Sequence, residues 1–434
     1  MVKQCIRRIV EQEEGIYDWE GIWKEARRGV TDSDHADYVG PIEVRVCQDP
    51  KCGKGTFVTK NVEPGELLLV EKAFSAVFAK EGGKPDMPAA GDGAKPKPDE
   101  EDEKARVETK ALSAELATQT FVKLARNRSL QRAFLGLYHG LSMDEEVDER
   151  KDVSEAIHNR IAYNAFAFPF RPESGSSTTT PSRGLWLKAS YINHTCNPTV
   201  HRSFMSDLII IRAQTRIARD TEVRFDYTSC LDYVSQRRKF LSHYGFHCEC
   251  ERCISEAGTS QANLVKREKI SKEIETLRLG EGGVGLASFM MRIMAIDATY
   301  TTAPSIEPRL ALVPPLMSMV SAAQAGGMPD FVILLICRLL RALGFVVVAE
   351  PRFEISRWGF LIDDIVVVMA DLVQAFEAVG QLWSRNVAEK AAKKCCLIMC
   401  GEDISWEEAY DGDGRVEEGT VEDLIERGLV LGWG

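Results

Sequence analysis

Three thiols fall within six residues at Cys248-x-Cys250-x-x-Cys253. That spacing lets them converge on one tetrahedral Zn²⁺, with a fourth ligand supplied from elsewhere in the chain. Cys196 is the best candidate for it. Four thiolates leave no open position for water, so such a metal holds a fold together without doing catalysis. Thiols clustered by chance, or a redox pair, are the alternatives. Cys196 itself closes a second segment, Ser190-Tyr191-Ile192-Asn193-His194-Thr195-Cys196. A metal at Cys196 pins that segment, whose backbone amides and Asn193 side chain could hold a polar ligand. A lone His is ordinarily a satisfied core group, but beside a metal ligand His194 becomes a site candidate. Gly53-Lys54-Gly55 permits a tight turn and close backbone approach to a ligand. It is not a dinucleotide fingerprint, because no GxGxxG-helix follows. Cys395-Cys396-x-x-x-Cys400 lacks a convincing fourth ligand and reads as helix packing rather than a second metal site. Cys47 and Cys52 are either idle or sensitive to oxidation.

The elements that must position these groups change texture along the chain. Residues 1 to about 30 read as a helix or helical hairpin turning at Gly15, with Ile6, Ile9, Tyr17, Trp19, Ile22 and Trp23 at helical spacing. From Gly40-Pro41, IEVRVCQ, TFVTKNV and LLLVEKAF read as strands, with a turn at Glu63-Pro64-Gly65-Glu66. Residues 80 to about 104 are rich in Gly, Pro and charge, and are expected to be an exposed disordered loop. Ala105 to Tyr138 turns helical, with Leu112, Leu116, Phe121, Leu124, Phe134 and Leu137 as expected core positions. Strand character returns at Ala162 to Phe170, Leu185 to Lys188, Leu208 to Ala213 and Glu222 to Tyr227. The thiol cluster ends this β-rich module. Beyond it the chain reads as helices at Leu264 to Leu277, Leu286 to Ala295, Met317 to Ala323, Phe331 to Leu343 and Ile362 to Leu382, before an acidic tail.

The fold class is therefore α+β: a β-rich fold with an inserted acidic loop and helices, zinc at its C-terminal end, and then a mostly α-helical domain. The expected boundaries are 1–39 for the N-terminal helical segment, 40–254 for the β-rich domain with its insertion at about 80–160, and 255–434 for the helical domain. At about 150 residues per domain, the 434 residues suit two or three domains. A content of 44% hydrophobic and 27% charged residues excludes a fibre or a wholly disordered chain. The 54 Lys and Arg against 65 Asp and Glu give a net charge of -11, so sequence-specific nucleic-acid binding is not the expectation. The N-terminus lacks an apolar stretch of signal-peptide length, and the thiols imply a reducing compartment. A cytoplasmic or nuclear, non-secreted protein is expected. The longest apolar run, Phe331 to Val348, is broken by Arg338 and Arg341. It reads as a buried helix pair or a helix with a strand-like tail, not as a membrane span of about 20 residues.

Taken in order, Gly53-Lys54-Gly55, Asn164-Ala165-Phe166, Asn193-His194-x-Cys196, Phe225-Asp226-Tyr227 and Tyr244-x-Phe246-x-Cys248-x-Cys250-x-x-Cys253 resemble a SET domain. The resemblance covers about Pro41 to Cys253. It is strongest to the SMYD branch and to fungal SET proteins with tetratricopeptide-like helices. The Cys- and His-rich MYND finger of that branch is lacking, since residues 71–162 hold no Cys and only His139 and His158.

The resemblance implies S-adenosylmethionine-dependent methylation of a protein lysine, with zinc as a second cofactor. It implies that Lys54 and Gly55 line the cofactor turn, that Asn164 and Asn193 bond its polar groups, and that His194 meets the adenine region through its backbone. Phe246 would pack on the adenine, Tyr227 would be the catalytic tyrosine, and Phe166 and Tyr244 would wall the lysine channel. Cys196, Cys248, Cys250 and Cys253 would be the metal ligands. The expected partner is a protein presenting a lysine, a histone or another basic protein, with no membrane and an oligomeric state the sequence leaves open. A catalytically inactive SET-fold interaction protein is the alternative.

Overall fold

The computed structural model describes residues 2–49, 52–78, 98–140, 153–170, 180–228, 234–275, 285–349 and 351–402. Helices α1 (Val2–Glu14) and α2 (Trp19–Arg27) part at Gly15, as the sequence suggests. Strands β1 (Tyr38–Val39), β2 (Ile42–Val46), β3 (Lys54–Val58), β4 (Leu67–Lys72) and β5 (Ser75–Val77) follow. Next come α3 (Pro98–Arg126), α4 (Gln131–Leu135), α5 (Val153–Asn164), β6 (Phe166–Phe170) and β7 (Thr180–Leu185). Four short strands succeed them: β8 (Asn193–His194), β9 (Val200–Met205), β10 (Leu208–Ala213) and β11 (Glu222–Phe225). Helices α6 (Val234–Leu241), α7 (Glu251–Ala257), α8 (Gln261–Glu275), α9 (Leu286–Asp297), α10 (Val313–Ala325) and α11 (Pro329–Ala342) precede a hairpin, β12 (Val346–Val348) and β13 (Glu354–Arg357). Helices α12 (Ile365–Ala378) and α13 (Leu382–Cys400) complete the described chain.

The fold divides into two units, one comprising 1–56, 67–192 and 203–211, the other 57–66, 193–202 and 212–434. In the first, β4 lies between β1 and β10, and β9 flanks β10. All six residues of β10 are buried, so LIIIRA reads as a continuous apolar strand rather than an alternating one. A second, antiparallel sheet has the order β5-β7-β6, with Gly184 opposite both Ala76 and Phe166. A side chain at Gly184 would meet the Trp186 ring at 2.6 Å, so only glycine lets that indole lie against the strand. Gly53 takes φ 62° at the entry to β3, the left-handed turn that the Gly-x-Gly spacing implies. The inward face of α1 is set by Glu11 rather than by Ile6 and Ile9, which are exposed. Glu11 accepts from the Ala36 N–H and contacts His35 Nδ1, each at 2.9 Å.

Glu71, buried on β4, fixes the turn that leads toward Asn193. Its carboxylate accepts the Lys188 N–H at 2.9 Å and the Ala189 N–H at 2.9 Å, the donors at the start of the 3₁₀ turn Ala189–Tyr191. Removing it strands those two donors. Glu71→Ala is expected to cost about 2–6 kcal/mol at roughly 1–3 per unsatisfied buried group, read as a shift in the urea midpoint at unchanged slope.

In the second unit, β11 runs parallel to β8. The helices α8 to α13 bury a continuous core that includes Ile336, Leu339, Leu372, Val373 and Phe376. Among the described residues no helix is long and apolar enough to cross a membrane.

Several expectations need correction. Residues 98–104 are not loop but the first turns of α3. The remainder of that expected loop, and the acidic tail, lie outside the described residues. Phe121 is 50% exposed, because α3 turns it away from the cluster formed by Leu116, Leu124, Phe134 and Leu137. Ala162 to Asn164 end helix α5, the strand beginning only at Phe166, and residues 186–188 lie beyond β7. Ile362 to Leu382 is broken by a turn at Gly380 into α12 and α13. The apolar run after Phe331 is a helix with a strand tail, as read, but that tail pairs antiparallel with β13, which the sequence did not suggest.

Candidate active site and thiol cluster

Parallel pairing of β8 with β11 sets Asn193 beside Arg224 and His194 beside Phe225. The register continues as Thr195 N–H donates to Phe225 O at 3.0 Å. Two residues beyond Phe225, the backbone N–H of Tyr227 donates to His194 Nδ1 at 2.9 Å. The other ring nitrogen, Nε2, lies 3.2 Å from Cys196 Sγ. Burial lowers the imidazole to about 4, so it is neutral at physiological pH.

Aromatic rings surround Tyr227. Its centroid lies 5.2 Å from His194, 5.6 Å from Phe225 and 5.4 Å from Tyr244. Phe246 packs on His194 at 5.9 Å. Desolvation raises the Tyr227 hydroxyl above the ordinary phenol value, so it is a protonated donor at neutral pH. Asp226 accepts from Arg202 at 3.2 Å, and the Arg202 guanidinium stacks 4.8 Å from the Phe225 ring. That carboxylate is thus engaged structurally. Asn193 Nδ2 donates to Glu222 Oε1 at 2.7 Å.

The four predicted thiols come together. The sulfurs of Cys196, Cys248, Cys250 and Cys253 all lie within 4.8 Å of one another, and that of Cys253 is 3.5 Å from that of Cys196. Zn–S bonds of about 2.3 Å in a tetrahedron require S···S separations near 3.8 Å, so the donor set fits a structural zinc. Short-range order supplies three of the ligands, since Cys250 caps α7 and Cys253 sits in its first turn. Leu241 at the end of α6 packs against the cluster.

Around the sulfurs lies a charged shell that the sequence reading missed. Arg237, fully buried on α6, donates from Nε to Cys196 Sγ at 3.2 Å and from a terminal nitrogen to Cys253 Sγ at 3.4 Å. The same guanidinium pairs with Glu256 Oε2 at 2.9 Å. Arg252 donates to the Cys196 carbonyl at 3.0 Å. Hydrogen bonding with Cys196 and then Cys248, with a smaller contribution from Arg237, holds the Cys253 thiol below its ordinary value. In VSQRRKFL, Arg237 looks like one more cation on a solvated helix face, and its partners stand 16 to 41 residues away. No local pattern reveals it. Arg237→Met takes the guanidinium from Glu256 Oε2, whose other oxygen keeps the Val234 N–H at 2.7 Å, and removes two donors from the thiolates. We expect about a 10- to 100-fold loss of zinc affinity, the usual penalty for losing an outer-shell partner, read by competition with a chromophoric chelator.

The remaining sequence candidates lie in the first unit. Lys54 is exposed, its ammonium 5.7 Å from the centre of the Tyr191 ring, and the adjacent Gly55 is buried. Asn164 ends α5, where its Nδ2 donates to the carbonyls of Tyr138 and Arg160 at 2.7 Å each. Phe166 packs edge-on to Trp186 at 5.8 Å, beside Phe204 at 6.5 Å. Cys395, Cys396 and Cys400 are buried on α13, and among the described residues the only metal-ligating group of three or more is the four-thiol cluster.

The SET domain family model matches residues 53–228. A protein of Gibberella zeae described as a methyltransferase is 28% identical over 92% of this chain and 57% of its own length. A SET and MYND domain-containing protein of Dictyostelium discoideum is 33% identical over 23% of this chain and 25% of its own. The histone-lysine N-methyltransferase ASHR1 of Arabidopsis thaliana is 35% identical over 16% of this chain and 15% of its own. The match thus spans little more than half of the first relative and a quarter or less of the other two. The chain carries a SET-type α+β domain over residues 53–228, followed by an α-helical region. It is related in sequence to SET-and-MYND and ASHR-type proteins.

Proposed function

We propose that this chain is an S-adenosylmethionine-dependent methyltransferase acting on the side-chain amine of a protein lysine, of the SMYD-like branch without a MYND finger. The observation that carries the reading is the protonated Tyr227 hydroxyl in its ring of His194, Phe225 and Tyr244, inside the matched SET segment. When bound, S-adenosylmethionine supplies a sulfonium methyl group. A phenol hydroxyl and aromatic faces suit that chemistry, because they orient a positively charged centre without a competing base. In the proposed in-line displacement, Tyr227 steers the methyl group and the incoming amine, and Tyr244 walls the channel. Partial desolvation there favours the neutral, nucleophilic amine. Asn193, His194 through its backbone, and Phe246 are proposed cofactor contacts in the second unit. Lys54, Gly55, Asn164 and Phe166 are assigned their cofactor and channel roles by the resemblance.

Zinc on Cys196, Cys248, Cys250 and Cys253 is proposed as structural, which suits a reducing compartment, nucleus or cytoplasm. The proposed substrate is a basic protein, a histone among the candidates. Calorimetric titration of the full chain with S-adenosylmethionine tests the cofactor half. We expect saturable one-to-one binding, weakened by Asn193→Ala roughly tenfold, about one hydrogen bond to a charged group. Absence of binding by folded, zinc-replete protein sinks the proposal. Binding without turnover favours the interaction-protein alternative.

A further inference from the structure

His194 touches both halves of the second unit's chemistry with one ring. The Tyr227 backbone N–H points at Nδ1 at 2.9 Å, and a backbone amide can only donate. Nδ1 therefore carries the lone pair. The proton of the neutral ring must then sit on Nε2, and that nitrogen faces Cys196 Sγ at 3.2 Å. The ring has little freedom to turn otherwise. It is 6% exposed, packed between Tyr227 and Phe246, and anchored by the β8–β11 pairing.

We infer that His194 is a positioning residue: its Nε2–H donates to the Cys196 thiolate while Nδ1 holds the Tyr227 backbone, so that the metal cluster sets the position of the proposed catalytic tyrosine. The inference rests on the zinc and methyltransferase readings above, and gives His194 a side-chain role beyond a backbone contact to cofactor. Its chemistry is that of an outer-shell metal partner, in which the hydrogen bond on one ring nitrogen fixes the tautomer. It also gives the thiol cluster a purpose beyond stability. A thiolate that moves on losing its metal releases the Nε2–H, and with it the ring that holds Tyr227. Arg237 donates to the same sulfur from a different element, α6, so the two donors can be varied one at a time by mutation.

The test uses the full chain loaded with ¹¹³Cd in place of zinc and labelled with ¹⁵N at His and Tyr. Expected are a scalar coupling between the His194 Nε2–H proton and the bound ¹¹³Cd, and a Tyr227 amide resonance that moves when metal is removed. His194→Phe, which keeps bulk and loses both bonds, is expected to shift that amide and speed metal release about tenfold. His194→Gln, whose carboxamide again offers one acceptor and one donor, is expected to recover part of both. One metal bound per chain with no coupling, or a Tyr227 amide indifferent to metal, overturns the inference alone. Failure to bind metal overturns it together with the zinc reading. A coupled His194 in a protein that transfers no methyl group leaves the inference standing and removes the proposed function, because none of these readouts needs turnover.

Discussion

Replacing Tyr227 with phenylalanine is expected to lower turnover about a hundredfold or more, the usual cost of deleting one donor aimed at the reacting centre, while cofactor affinity stays within about threefold. The split follows from what the substitution leaves behind. The ring keeps its packing on His194, Phe225 and Tyr244, and the backbone N–H still reaches His194 Nδ1, so the fold around the site is unchanged. Only the hydroxyl goes. Losing an interaction made in the transition state and not in the ground state lowers kcat without altering binding. Steady-state kinetics with a lysine substrate, beside calorimetry with S-adenosylmethionine, separate the two quantities. Equal turnover by the variant removes Tyr227 from its role. A raised KM at constant kcat makes the hydroxyl a binding group instead.

The second large effect is expected on losing the metal. Cys250→Ser replaces a thiolate by a weak ligand in a set where Arg237 and Arg252 already crowd positive charge around the sulfurs. Zinc content should fall from about one per chain toward zero. The domain end should lose more than about 4 kcal/mol, within the range for loss of a structural metal. The damage has an address, since α6 and α7 meet the β8 segment through these sulfurs and through Arg237 and Arg252, which both donate to Cys196. Hydrogen exchange should therefore quicken at residues 234–257 and 193–200 before it does in the helical core around Phe376. An unchanged metal ratio rejects the assigned ligands, and uniform loss of protection rejects a local role.

What was legible in the sequence divides along the same physical lines. The thiol cluster was readable because metal ligation demands a short spacing that few other uses produce, and because Cys196 follows an Asn-His pair. The β10 strand and the paired N-terminal helices were readable from apolar pattern. Arg237 and Glu256 were not, because a buried ion pair between two helices leaves no local trace; each looks like an ordinary charged surface residue. The side-chain role of His194 depends on the parallel register of β8 and β11, strands of two and four residues with no turn between them to betray the pairing. Asn164 was misplaced onto a strand because AYNAFAFPF is rich in aromatics, whereas its own carboxamide closes helix α5 by bonding to Tyr138 and Arg160 carbonyls. Phe121 misled for the opposite reason: periodicity names a helix, not which of its faces meets a neighbour.

The most direct test of the central claim is transfer itself. The zinc-replete chain is incubated with S-adenosylmethionine carrying a labelled methyl group and a fractionated protein extract, and labelled proteins are mapped by mass spectrometry. The account predicts label on lysine side-chain amines, lost with Tyr227→Phe. Cofactor bound at one per chain with no label on any lysine would contradict it and leave a SET fold used for binding.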